Sequence, residues 1–312
     1  MLSTLIRAQI VAEFLAYAFL GAWLHASRGW AVPALVAAAI ATAALIRLAI
    51  VGTTMAISWG LAPQRAPEHR IGLAGTVRLV AGEWRAMLAD NFFYLPFERF
   101  ALAPDAGVAG PGRPPVLLVH GYFSNRGILS AVVRALRAAG VRAVRTPNFR
   151  GILAPIDELA GQLESHVARL LAESGEPRLV LVCHSMGGLV ARAWLARHGA
   201  GRVAKLVTIA SPHHGTGLAV LGVGPNAEQM RRGSAFLAAL AQREGEGGPG
   251  CPATSIYSPH DNLVAPQDTS RLAWARNIAL PGLGHVDILL SPRLHRALLA
   301  ELREGGVAAG PP

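Results

Sequence analysis

Residues 179–188, Leu-Val-Leu-Val-Cys-His-Ser-Met-Gly-Gly, constrain the fold of this chain more than any other stretch. Leu179, Val180, Leu181 and Val182 form the unbroken apolar run of a strand covered on both faces. The run stops at His184-Ser185-Met186-Gly187-Gly188, and Leu189, Val190, Ala193, Trp194 and Leu195 then recur at helical spacing. A strand, a sharp turn and a helix place a serine at the apex. Its hydroxyl is lifted out of the sheet, and the helix N-terminus points at charge developing beside it. Gly187 leaves room for the turn. An ordinary small residue at a strand tip would not call for these flanks. Ser185 is the predicted nucleophile.

From Val116 onward, apolar runs of strand length alternate with amphipathic stretches. Strands are predicted at 116–119, 141–145, 179–183, 205–210, 253–257 and 275–280, and helices at 128–139, 156–173 and 293–303. That alternation predicts an α/β class with a mainly parallel sheet of about six strands.

The 184–188 turn resembles the nucleophile elbow of α/β-hydrolase lipases and esterases, usually Gly-His-Ser-Met-Gly-Gly, with Cys183 standing where the first glycine usually sits. Cys183 falls on the strand before the turn, the position of a buried structural thiol rather than a reactive one. The resemblance covers residues 114–304 and implies an α/β-hydrolase fold with the nucleophile, acid and base in that chain order. Leu118-Val119-His120-Gly121-Tyr122 resembles the family's loop beside the active site. By that resemblance the backbone N–H groups of Tyr122 and Met186 form the oxyanion hole, and His120 is structural. Residues 256–266 resemble the acid loop, with Asp261 as the acid and Asp268 as its competitor. His285, in Gly-Leu-Gly-His-Val-Asp, follows the last strand and is the expected base.

Residues 208–216, Thr-Ile-Ala-Ser-Pro-His-His-Gly-Thr, resemble the loop that lines the acyl side of the cleft in bacterial lipases. His213 and His214 either shape that wall or sit exposed. His184 points the wrong way for a base and is grouped with them on the substrate side. Residues 217–250 occupy the cap position, with a helix predicted at 226–242 that either covers the cleft or packs as an ordinary helix. Such a chain cleaves carboxylic esters of lipid-like substrates through an acyl-enzyme and needs no cofactor and no metal. Thioester cleavage or acyl transfer on the same triad is the neighbouring reading, and a non-catalytic membrane scaffold the distant one.

Residues 1–62 read as a two-helix transmembrane anchor. Two apolar segments, broken at His25-Ala26-Ser27-Arg28-Gly29, are each long enough to cross a bilayer. Glu13 and Arg47 fall at similar depth from the turn, so they either pair or leave Glu13 near the interface. Residues 63–113 read as a juxtamembrane connector, with an amphipathic helix at 77–88, an aromatic cluster at 91–97 that lies against membrane or protein, and a linker at 104–115. Residues 305–312 read as a disordered tail. The net charge of +10 is carried by scattered arginines, which fits lipid headgroups and argues against a nucleic-acid partner. Arg7 precedes the first span and Arg28 lies in the turn, while Arg65, Arg70 and Arg78 follow the second. That excess predicts a multi-pass protein of the bacterial inner membrane with the catalytic domain in the cytoplasm.

Overall fold

The computed structural model describes residues 2–62, 66–102, 112–304 and 306. Most of the predicted linker at 104–115 and of the predicted tail at 305–312 lies outside them. Helices α1 (Leu2–Arg28) and α2 (Val32–Leu61) form an antiparallel hairpin, each long and apolar enough to cross a membrane. They are not core helices of a soluble body, because the most apolar 18-residue windows are only 6% and 17% buried. Leu15, Phe19, Leu20 and Ile40 project outward along the hairpin. The open end is clasped by the rest of the protein: Leu2 and Ile6 belong to the apolar core of the sheet, and Val51 and Met55 pack with Leu79. Glu13 and Arg47 do pair, with Arg47 Nη2 donating to Glu13 Oε2 at 2.6 Å and Tyr17 adding a hydroxyl to Glu13 at 2.7 Å.

The segment expected to be a connector is instead built into the body. Helix α3 (Leu73–Ala89) extends the predicted amphipathic helix at its start, and Trp84 donates its indole N–H to the Ala44 carbonyl at 2.8 Å. A π-helical turn at Asp90–Tyr94 follows, then the short α4 (Glu98–Ala101). The aromatic cluster meets protein on two sides. Phe92 covers the Arg47 guanidinium at 4.7 Å, and the Leu95 carbonyl accepts from Asn125 at 2.8 Å.

Strand β1 (Val116–Val119) enters the sheet buried at every position, as a strand covered on both faces must be. After α5 (Ser130–Ala138), β2 (Val144–Arg145) is shorter than predicted, because only Val144 and Arg145 pair with Val116 and Leu117. Helix α6 (Ile156–Ser174) leads to β3 (Leu179–His184), α7 (Met186–His198) and β4 (Val203–Ile209). The parallel six-stranded order is β2-β1-β3-β4 followed by β5 (Ala253–Tyr257) and β6 (Arg276–Ala279). The chain steps from β1 out to β2 and returns to β3 on the far side of β1. That reversal opens a crevice at the carboxyl ends of β1 and β3, where ligands bind in open α/β sheets. Helix α6 buries Ile156, Leu159, Leu163, Val167 and Leu170 against one face, each worth about 1.5–3 kcal/mol of transfer free energy.

The predicted cap helix at 226–242 is two helices. Residues 217–221 form a 3-10 turn, α8 (Pro225–Gln229) is short, and α9 (Ala235–Glu244) starts afresh where the Ser234 hydroxyl caps the Leu237 N–H. Leu237 and Leu240 join the core, and Glu244 accepts from the buried Arg192 of α7 at 2.8 Å. A charge pair out of water holds α9 in place, since breaking it leaves a buried charge unpaired. Only residues 217–224 keep the exposed apolar side chains Val220, Leu221 and Val223. The chain closes with α10 (Asp287–Leu290) and α11 (Pro292–Glu304).

Candidate active site

Ser185 sits between β3 and α7 with φ 55° and ψ −130°, a backbone few non-glycine residues adopt. The turn is tight because neighbouring backbone crowds it. A Cβ on Gly187 would lie 2.7 Å from the Val119 carbonyl oxygen, and one on Gly121 would lie 2.7 Å from the Ser185 Cβ. Cys183 takes no part in that crowding: it is a fully buried strand residue in register with Val119 and Thr208, and burial pushes its thiol up, away from the reactive thiolate.

His285 lies on the loop between β6 and α10, 4% exposed. Its Nε2 is 3.0 Å from Ser185 Oγ, and its Nδ1 is 2.8 Å from Asp261 Oδ2. The second oxygen of Asp261 accepts the Leu263 and Val264 N–H groups at 2.7 and 2.8 Å, which fixes the carboxylate. Asn262 accepts the His285 backbone N–H at 3.0 Å. Burial by itself lowers the His285 pKa. The charge and hydrogen bond of Asp261, with help from Glu83, outweigh it, so the imidazole is a stronger base than usual. A hydroxyl, an imidazole and a fixed carboxylate in this order can move a proton off the serine and hold it. Asp268, the competing acid, is exposed on the 3-10 turn at Gln267–Ser270.

The Gly121–Tyr122 loop borders the serine, and Met186 follows it at the start of α7. The Tyr122 hydroxyl donates to the Val223 carbonyl at 2.9 Å and accepts the Val223 N–H at 3.0 Å, tying this loop to the cap. His120 is buried against Phe149, and its pKa falls to about 4 because of burial.

Of the three histidines expected on the substrate side, only His184 borders the cavity, where its ring packs 4.8 Å from that of His285. Burial, with His285 beside it, holds it well below the ordinary imidazole range. His213 and His214 require correction. His213 is buried away from the cavity, with Thr208 Oγ1 2.9 Å from its Nε2 and Arg192 donating to its carbonyl. His214 is exposed, with its Nε2 3.0 Å from the Arg271 carbonyl. Pro212 and Thr216 supply this wall instead.

The cavity over Ser185 has a volume of about 470 Å³. Its wall draws on parts of the chain that sequence reasoning kept apart from the site: Ile6 and Gln9 of α1, Thr54 of α2, and Met87 and Asp90 in and after α3. The acid loop is also held by the hairpin. Ser58 of α2 donates to the Asp261 carbonyl at 2.6 Å, and Asn262 donates to Thr54 Oγ1 at 3.0 Å.

Glu83 of α3 was not legible as a site residue. Fully buried, it accepts the Val286 N–H at 3.1 Å and the Asp287 N–H at 2.8 Å, directly after His285. Gly284 makes room for it: a Cβ there would meet Glu83 Oε2 at 2.2 Å. Burial pushes Glu83 up to about 7, against the pull of the Asp287 N–H and His285. The one signal was an acid on the face of α3 that carries Leu79 and Ala86.

A family described as the alpha/beta hydrolase fold matches residues 114–291. Two curated relatives are a triacylglycerol lipase of Pseudarthrobacter phenanthrenivorans and another of Burkholderia plantarii. Each is 33% identical over 120 residues, covering 33% of this chain and 34% and 31% of the relative. The chain thus spans about a third of the length of the curated relatives it matches. Among solved structures, Aspergillus fumigatus lipase B aligns with a TM-score of 0.57 at 21% identity, over 65% of this chain and 55% of that one. The mature form of Bacillus licheniformis lipase BlEst2 aligns with a TM-score of 0.57 at 16% identity, over 64% of this chain and 96% of that one. With the six parallel strands and the elbow between β3 and α7, the match over more than half its length shows that this chain belongs to the α/β-hydrolase fold family.

Proposed function

We propose that this protein is a membrane-anchored serine hydrolase that cleaves carboxylic esters of lipid-like substrates. The observation that carries this reading is the line from Ser185 Oγ to His285 Nε2 at 3.0 Å and from His285 Nδ1 to Asp261 Oδ2 at 2.8 Å, beside a largely apolar cavity. The relatives' name, triacylglycerol lipase, supports the substrate class. In this reading Ser185 Oγ attacks the ester carbonyl while His285 Nε2 takes its proton, and the N–H groups of Tyr122 and Met186 receive the oxyanion. His285 then returns the proton to the departing alcohol, leaving an acyl-enzyme. Water, deprotonated by the same nitrogen, releases the acid. An acceptor other than water would make the same intermediate an acyl-transfer enzyme. A product assay with glyceride, thioester and alcohol acceptors separates the two.

The full chain in detergent is expected to label with a fluorophosphonate and to hydrolyse p-nitrophenyl esters, with rates rising from acetate toward longer acyl chains. A chain that neither labels nor hydrolyses any ester of the series overturns the assignment.

The hairpin supports the membrane reading. Its apolar side chains are exposed along its length, while its open end joins the walls of the cavity, so a lipid leaving the bilayer reaches Ser185 along the helices. Leu2 and Ile6 pack in the sheet core, which puts the start of α1 on the same side as the catalytic body. With the arginine excess, that side is the cytoplasm. Alkaline phosphatase fused after residue 312 should be inactive and a green fluorescent protein there should fluoresce. The opposite pair of results places the catalytic body in the periplasm.

A further inference from the structure

Asp90 lines the same cavity as Ser185 and His285, and ester cleavage gives it no task. It is 6% exposed, and its Oδ1 has no hydrogen-bond partner among the described residues. The backbone carbonyl of Asp90 is taken by the Leu95 N–H at 3.0 Å, so the side chain alone is unspent. A carboxyl oxygen withdrawn from water without a partner costs the fold stability that an apolar residue there would not. Such a group makes physical sense where a ligand completes it.

Its placement says what kind of group that is. Asp90 lies seven residues past Glu83, hence on the same face of the α3 spiral and about 10 Å farther along it. Glu83 grips the backbone beside His285, so Asp90 lines the cavity about two helical turns along α3 from that grip. Met87, Leu95 and Ile6 make the surrounding wall apolar, while Gln9 and Asn91 add uncharged amides. No arginine, lysine or histidine except the two at the catalytic end borders this cavity among the described residues. Burial, and then the charge of Glu83, push Asp90 up to about 8. At neutral pH it is therefore a carboxylic acid that both donates and accepts, as a hydroxyl does.

We propose that Asp90 is a specificity-determining residue that hydrogen-bonds a hydroxyl of the lipid ester, remote from the scissile bond. The inference rests on the esterase reading and deepens it. The hydroxyl has two sources, the unesterified positions of a glycerol headgroup or a hydroxylated acyl chain, and substrate pairs separate them.

The test uses the full chain in mixed micelles. Values of kcat/KM are compared for a monoacylglycerol, the methyl ester of the same fatty acid, and the methyl ester of its hydroxylated form. Asp90→Leu is expected to lose about tenfold or more on whichever hydroxyl-bearing substrate the wild type prefers, and less than twofold on the plain methyl ester. Asp90→Asn, which still donates and accepts, should stay within about threefold of wild type on every substrate. Equal losses on all three substrates, or unchanged selectivity in Asp90→Leu, overturn the proposal. A measurement without variants or turnover guards against misfolding. Displacement of a fluorescent fatty-acid probe from the wild-type protein should be about tenfold more effective for a 1-O-alkylglycerol or a hydroxyalkyl ether than for the matched alkyl methyl ether, and equal displacement overturns the assignment. That binding preference in a chain without esterase activity would remove the ester reading and leave the hydroxyl site standing.

Discussion

Ser185→Ala is expected to abolish fluorophosphonate labelling and to lower ester turnover by about a millionfold, with no loss of thermal stability. His285→Ala should cost at least about a thousandfold and approach the same floor, because groups that act as one unit fail together. The reason lies in the hydrogen bonds. Among the described residues Ser185 Oγ bonds to His285 alone, so its removal strands only an imidazole that keeps Asp261. Asp261→Asn is the subtler case, expected near a ten-thousandfold loss. An asparagine can still accept the Leu263 and Val264 N–H groups, but its amide then faces His285 Nδ1 and forces the tautomer that cannot take the serine proton. Asp268→Asn is the control and should stay near wild type, since that side chain is exposed on a separate turn. The measurement is turnover of a p-nitrophenyl ester by each purified variant, with melting temperature as the check on folding. Activity surviving in His285→Ala, or a deeper loss in Asp268→Asn than in Asp261→Asn, would send the base or the acid elsewhere.

The reach of the sequence varied with the range of the interaction. Patterns that are local along the chain were readable. The strand runs pointed to all six strands of the sheet, most plainly β1, whose burial at every position requires uniformly apolar residues, and least plainly the edge strand β6, Arg-Asn-Ile-Ala, which is exposed or half-buried throughout. The order serine, aspartate, histidine was readable because each follows a recognisable strand. The limits come where a side chain's role depends on elements far away in sequence. His213 and His214 share one loop, yet one turns inward beneath Arg192 and the other outward, and adjacency in sequence carries no sign of which. The cap helix broke because Gly233 and Ser234 interrupt it, and a serine that caps a helix start looks the same as one in a helix interior. The residues taken for a connector were misread for a related reason. Glu83 bears on a loop about 200 residues away, and a carboxylate on an amphipathic helix usually faces water.

Glu83 therefore supplies the second large effect. Glu83→Ala leaves the Val286 and Asp287 N–H groups buried without an acceptor beside the base, at a cost of about 1–3 kcal/mol each. The displaced histidine should lower turnover by about a hundredfold. A loss of that size would also follow from any loosened loop, so the decisive variant is Glu83→Gln, which keeps one acceptor and removes the charge. In the proposed mechanism His285 must be neutral to take the serine proton, so kcat/KM is expected to rise with pH through the raised pKa of that imidazole. Glu83 is one of the groups that raise it, and its removal should move the acid limb of the profile to lower pH. Stability runs the other way. Glu83 is pushed up to about 7, so its contribution is full below about 4.5 and is lost as pH climbs through 7. That window is worth about 3 kcal/mol for a group this buried. The wild-type melting temperature should fall between pH 5 and pH 8 by more than that of Glu83→Gln, while activity rises over the same interval. A variant whose acid limb stays where the wild type has it would make Glu83 a mere strut for the loop, with no electrostatic hold on the base.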